Sequence, residues 1–381
     1  MDSACTNGKG VVMILCANPS SQFQSYQNEI EEAVLKVLRG NRYILGDEVK
    51  LLEDEFAAFI GVNSAIGVAN GTDALELALR ALGIGSGDEV ITVSHTAVAT
   101  VAAIEAAGAV PVLVDINSDY FTLDPNQLQN ALTPKTKAVI AVHLYGQPAD
   151  LEAIDRFCSK NGLSLIEDCS QAHGAKWSGS RVGSIGHLGC FSCYPTKNLG
   201  AIGDAGLVVT NDEEIAKKVR MLREYGWHRR FISDVAGRNS RLDELQAAIL
   251  RVKLRHLDAD NAKRGAIAVQ YSQGLDRLSV RLPEIRENAD AVFHLYVLRS
   301  QERQNLISHL NKHNIQAGIH YPVPIHLQPA YKNRIRTARD MSVTEKISEE
   351  VISLPMYPEL TSSDVAQVIK AVNSYRSSPA S

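Results

Sequence analysis

Five strand-length apolar runs constrain this chain most: Val90–Val93, Val110–Val114, Ala138–Val142, Leu163–Ile166 and Gly206–Val209. Helix-like segments at 97–107, 124–131 and 149–160 separate the first four. Continuous apolar strands alternating with helices predict an α/β fold, with a mostly parallel sheet buried on both faces. Ligands of such sheets sit beyond the carboxyl ends of the strands. The residues that follow the runs are therefore the ones to inspect: Ser94 and His95, Asp115, His143, Glu167 and Asp168, and Tyr194.

Helical periodicity marks 29–38, 47–60 and 72–82 upstream of this rhythm. Downstream, Asp243–Leu257 reads as one helix, with Leu245, Ala248, Ile249 and Val252 on one face. A boundary near 255 follows. Residues 1–255 are expected to form the large domain and 256–381 a small α+β domain. The latter has helices at 262–274, 302–313, 343–352 and 362–375, and short strands near 291–298 and 315–319.

Composition removes several classes. Lys and Arg number 39 against 43 Asp and Glu, a net charge of −4. That leaves no basic surplus for nucleic acid. The longest apolar stretch, Val98–Val114, is broken by Glu105 and Pro111 and is shorter than the roughly 20 residues a membrane helix needs. The run from Val11 to Ala17 is short for a signal-peptide core, and Asp2 dilutes its positive flank, so a buried strand is the preferred reading. Six cysteines are too sparse for a disulfide scaffold, which points to a reducing compartment and the cytoplasm. Cys190 and Cys193 lack a second pair for zinc and read as packed thiols, and no metal site is expected.

Three local patterns carry chemistry. Asn70-Gly71-Thr72-Asp73 opens a helix, where free N–H groups and the dipole suit a phosphate; a plain N-cap is the simpler reading. The run Leu163–Ile166 ends on Glu167 and Asp168, and strand alternation sends these in opposite directions, so one can point into the ligand crevice. Lys197 follows Tyr194-Pro195-Thr196 and precedes a glycine-rich stretch, hemmed in by Pro195 and by apolar and small residues, a setting in which a lysine can form a Schiff base with an aldehyde. One cofactor unites the three. Pyridoxal 5'-phosphate has a phosphate for the helix start, an aldehyde for Lys197 and a ring nitrogen for Asp168. A carboxylate beside that nitrogen favours its protonated form.

The chain resembles the DegT/StrS-type sugar aminotransferases, among the fold type I pyridoxal-phosphate enzymes. The likeness runs from about Gln22 to about Val372. It rests on Asn41–Gly46, Ala69–Leu75, Glu167-Asp168 through Gly174, Ser192 with Tyr194–Asn198, and Asn239–Ala247. The resemblance implies that Lys197 and Asp168 are catalytic. It implies that Gln171 faces the ring hydroxyl, and that Gly71, Thr72 and Ser192 bind the phosphate. Asn239 would reach the phosphate site of a neighbouring subunit, which implies a homodimer with shared active sites. The family usually has an aromatic residue over the ring at the position of Ala97, so His95 is expected to cover it instead, or the face is less covered. Tyr194, His320 and Tyr321 would meet the substrate, although His320–Pro322 also reads as a Pro-rich structural turn.

The activity implied is transfer of an amino group from glutamate to a nucleotide-linked keto sugar. A dTDP-3-keto-6-deoxyhexose is favoured over a 4-keto sugar because Tyr194 stands near the lysine. Rival readings are a 4-keto-sugar aminotransferase and a non-enzymatic regulatory or sugar-binding protein. Lys197 and Asp168 together count against the latter, and a yellow purified protein would exclude simple sugar binding.

Overall fold

The computed structural model describes residues 13–278 and 280–375. Its main sheet has eight strands: β1 Ser64–Val68, β2 Glu89–Val93, β3 Val110–Val114, β4 Thr136–Val142, β5 Ser164–Asp168, β6 Leu188–Ser192, β7 Gly206–Thr210 and β8 Arg336–Thr337. Their order is β1-β7-β6-β5-β4-β2-β3-β8. From β6 through β8 every pair is parallel. β7 opposes both its neighbours. The helix-free link from 193 to 205 explains this, because a parallel return needs a crossover and an antiparallel one does not.

β2 to β5 and β7 lie where the apolar runs predict. β1 and β6 are additional. Their sequences, Ser-Ala-Ile-Gly-Val and Leu-Gly-Cys-Phe-Ser, hide the strand signal behind small residues, yet β1 is buried throughout. The edge strand β8 comes from the tail and pairs with β3, which the segmental reading of the tail did not include.

Four helices matter for the site: α1 Gly71–Ala81, α2 Val98–Ala106, α3 Glu244–Gly274 and α4 Ser342–Glu350. α3 is continuous where two helices were expected. Asp258-Ala259-Asp260-Asn261 reads as a break, but Asp260 is buried and accepts hydrogen bonds from Tyr26 Oη at 2.8 Å and Lys263 Nζ at 3.0 Å. These partners offset the cost of burying its charge. The expected helix at 124–131 is a 3₁₀ turn, Pro125–Gln127, followed by one α-turn, Leu128–Ala131.

α3 serves two cores. Its first half contributes Ala247, Leu250 and Leu257 to the core around the main sheet. Its second half contributes Ile267, Ala268 and Tyr271 to a second core, shared with the antiparallel pair Tyr296–Arg299 and Val351–Leu354. Ile14 joins that second core through a parallel bridge to Ile315. Val11 and Val12, where the expected N-terminal strand begins, lie outside the described residues. Among the described residues no helix is long and apolar enough to cross a membrane.

Candidate active site

A cavity of about 520 Å³ opens at the carboxyl ends of β2, β4, β5 and β6. Its wall includes Gly71, Thr72, Asp168, Gln171, Ser192 and Lys197. Tyr194 and Ala97 also reach it. Register explains how the strands converge: Asp168 stands level with Val142 of β4 and with Cys190 of β6.

α1 begins in this wall. Asn70 caps it, its side chain accepting the Asp73 N–H at 2.8 Å. A helix's first N–H groups have no partner within the helix. The cap satisfies one and leaves those of Gly71 and Thr72 in the cavity wall, so the cap and an anion-binding turn coexist. Gly71 is required by space, since a Cβ there would lie 2.5 Å from that of Ser192. The result is a narrow cradle between a helix start and the Ser192 hydroxyl, suited to a phosphate.

The two carboxylates at the end of β5 part as the strand's period dictates. Asp168 is in the cavity wall, where its Oδ2 accepts from Thr100 Oγ1 at 3.0 Å and its Oδ1 from the Ser170 N–H at 3.2 Å. Glu167 points the other way. It takes His143 Nε2 at 3.1 Å and the N–H groups of Gly183, Ile185 and Gly186 at 2.7–2.9 Å. Burial pushes its pKa up, but hydrogen bonds from His143 and the backbone outweigh this and hold it below the ordinary value. His143, Glu167 and Cys169 lie close enough to suggest a metal cluster, yet both Glu167 oxygens are already engaged by N–H donors.

Lys197 sits on the loop after β6, its N–H bonded to Tyr194 O at 2.8 Å. Burial lowers its pKa from 10.5 to about 8, partly opposed by the charge of Asp168. A neutral amine at ordinary pH is what condensation with an aldehyde requires. Three histidines surround it. Burial, reinforced by the lysine charge, lowers His173 to about 3 and His320 to about 4, and holds His294 well below its ordinary value. His173 and His294 were not singled out from the sequence; one stands in the Gln171–Gly174 run, and the other is brought in by the tail.

His320 and Tyr321 also come to this side. His320 Nδ1 lies 2.8 Å from Ser353 Oγ, and Tyr321 Oη accepts from Gln171 Nε2 at 3.1 Å. Two expected site residues lie elsewhere. His95 is outside the cavity wall, buried and hydrogen bonded to Tyr145 and Ser348. Asn239 is exposed and does not line this chain's cavity, although its neighbours Arg238 and Ser240 both bind Asp73 of α1, which does. Beside it opens a second cavity of about 600 Å³, lined by Arg42, Arg229, Arg230 and Arg241 with Trp227 and Phe231.

A mostly parallel α/β sheet that brings a helix-start cradle, a strand-end carboxylate and an enclosed lysine into one wall is the architecture of an aminotransferase-type enzyme. The sequence profile of the DegT/DnrJ/EryC1/StrS aminotransferase family matches residues 24–373. A dTDP-3-amino-3,4,6-trideoxy-alpha-D-glucose transaminase of Streptomyces venezuelae is 44% identical over 354 residues, covering 93% of each chain. A dTDP-3-amino-3,6-dideoxy-alpha-D-galactopyranose transaminase of Aneurinibacillus thermoaerophilus is 46% identical over 350 residues, 92% of this chain and 96% of the other. The crystal structure of S. venezuelae DesV, solved with a ketimine intermediate, superposes with a TM-score of 0.92 at 44% identity, over 94% of this chain and 97% of that one. The chain belongs to the DegT/DnrJ/EryC1/StrS aminotransferase family. That family consists of pyridoxal-phosphate-dependent aminotransferases.

Proposed function

We propose that this protein binds pyridoxal 5'-phosphate and moves an amino group from glutamate to C3 of a dTDP-linked 3-keto-6-deoxyhexose. The observation that carries the cofactor reading is the shared wall: an amine with its pKa lowered to about 8, a carboxylate and a phosphate-sized cradle line one cavity. Bound there, the cofactor supplies an aldehyde that carries the amino group and a ring that draws electron density from the reacting carbon.

The chain's own groups do the rest. Gly71 and Thr72 N–H, with the Thr72 and Ser192 hydroxyls, hold the phosphate end. Asp168, oriented by Thr100 and the Ser170 N–H, keeps a proton on the ring nitrogen. Gln171 meets the ring hydroxyl. Lys197 Nζ takes the α-proton of glutamate in the first half-reaction and returns a proton to sugar C3 in the second. Tyr194, His320 and Tyr321 orient the sugar. The C3 assignment draws on the 3-amino sugars that the two relatives form.

We also propose a cytoplasmic homodimer. Asn239 is exposed beside an arginine-lined cavity, so a partner that brings this face to the other subunit's cavity gives both features a role. The same reading divides the chain near 255, into a cofactor-binding part and a part carrying the His320–Tyr321 loop. The test is an amination assay with glutamate against 3-keto and 4-keto sugars on dTDP and UDP. Turnover of the dTDP 3-keto sugar is expected, reduced in Tyr194→Phe. Faster turnover of a 4-keto sugar would overturn the C3 assignment.

A further inference from the structure

We propose that Tyr145 is a positioning residue for the sugar side of the reaction. Its hydroxyl fixes the His320–Tyr321 loop, and its backbone fixes the amide of Gln171. The proposal rests on the reading of His320 and Tyr321 as substrate residues.

Tyr145 follows β4 in the run His143-Leu144-Tyr145-Gly146-Gln147-Pro148. It is buried, with φ +61° and ψ +6°. That left-handed conformation is costly for a residue with a Cβ, and such outliers persist where the surroundings over-determine them. Gly146 continues the turn at φ +95°, where a Cβ would lie 2.8 Å from His294 N. The strained turn has a purpose visible in its hydrogen bonds. Tyr145 N donates to Gln171 Oε1 at 2.7 Å. Its carbonyl accepts from Leu295 N at 3.3 Å. Its hydroxyl lies 2.7 Å from His95 Nε2 and donates to the carbonyl of His320. Every polar atom of the residue is thus spent, each on a different segment.

These contacts fix proton positions. A carbonyl can only accept, so the single Tyr145 hydroxyl proton goes to His320 O. His95 Nε2 must then carry a hydrogen and donate to Tyr145, which leaves Nδ1 to accept from Ser348 Oγ at 3.2 Å. The chain runs one way, from Ser348 through His95 and Tyr145 to His320. It ties α4 to the ends of β2 and β4 and to the loop. His95, expected over the ring, acts here through Tyr145. Gln171 is oriented by the same residue: with Oε1 occupied by the Tyr145 N–H, its Nε2 donates to Tyr321 Oη. The Tyr321 hydroxyl accepts there and keeps its own proton to donate.

Tyr145→Phe removes one oxygen while the ring keeps its contacts with Phe121 and His95. Two readouts test the role. Amide hydrogen exchange of the protein without sugar should quicken about tenfold in peptides covering 317–327 and stay unchanged in β5 and β6. Of the half-reactions, glutamate should proceed within about twofold of wild type, while KM for the keto sugar rises about tenfold with kcat little changed. Unchanged exchange at 317–327 overturns the proposal, as does an equal loss in both half-reactions. A wild-type enzyme that aminates no 3-keto sugar would refute the substrate assignment, and exchange in the loop would still decide the role of Tyr145.

Discussion

The lowered pKa of Lys197 makes a quantitative prediction about the protein stripped of cofactor. The fall from 10.5 to about 8 favours the neutral amine by about 3 kcal/mol relative to a solvated lysine. At pH 7 about one Lys197 in ten would be neutral, against about one in three thousand for an ordinary lysine, roughly a 300-fold advantage in reactive amine. Its condensation with an aldehyde should therefore rise tenfold per pH unit below about 8 and level off above it. The assay adds pyridoxal phosphate across pH 6–10, captures the adduct with borohydride and maps it by mass spectrometry. Asp168→Asn removes the charge that raises the lysine pKa, so the plateau should begin at lower pH in that variant. The structure also supplies the competitor. Burial lowers Lys253 to about 8 as well, but its Nζ is buried and donates to Gln22 Oε1 and Gly200 O at 3.0 and 2.7 Å. An adduct on Lys253, or a rate that climbs only above pH 10, would refute the reasoning.

Gly71→Ala puts a Cβ 2.5 Å from that of Ser192, so cofactor affinity, measured by absorbance titration, should fall at least about tenfold as the cradle closes. The neighbouring carboxylates should separate cleanly. Asp168→Asn should keep the melting temperature within a few degrees and slow turnover by orders of magnitude. Glu167→Gln should lower stability by at least about 2 kcal/mol in denaturant titration, because each carboxylate oxygen accepts from two donors and the amide NH2 that replaces one of them leaves two donors unpaired, with cofactor affinity less affected. The reverse pattern would mean that the strand faces are misassigned. Mixing inactive Lys197→Ala with inactive Asn239→Ala should restore activity through heterodimers with one intact site; none after confirmed subunit exchange would count against the shared site.

Legibility in the sequence followed how locally each feature is determined. β2 to β5 were readable because each is a continuous apolar run. β1 and β6 were not, because burial on both faces also accommodates Gly, Ala, Ser and Cys, which carry no periodic signal. The two carboxylates and Lys197 were readable because strand alternation and a hemmed loop are properties of neighbours in the chain. Thr100, His173 and His294 were not. Thr100 reaches Asp168 across 68 positions, and His294 meets the lysine loop through Asn198 Oδ1 at 3.2 Å, contacts that only the tertiary fold makes. The continuity of α3 was not legible for a related reason, since the partners that let Asp260 sit inside a helix include Tyr26, far upstream.

The placement of His95 shows where analogy between positions stops. Asking which residue covers a ring presumes that the segment after β2 faces the cavity as a unit. It does so only in part: Thr96 and Ala97 reach the wall, while His95 turns inward to Tyr145 and Ser348. Strand alternation would put His95 and Ala97, two positions apart, on one face, but β2 ends at Val93 and the chain bends through 94–96, so that period does not carry over to them. The consequence is chemical. On the proposed reading, a ring face bordered by Ala97 would gain no stacking from the protein there, so the cofactor's grip would depend more on the cradle of Gly71, Thr72 and Ser192 and on Asp168. Ala97→Phe should then tighten cofactor binding, read by absorbance titration, if the 520 Å³ cavity accepts the added ring. Weaker binding with an unchanged melting temperature would show that the open face is needed for the sugar.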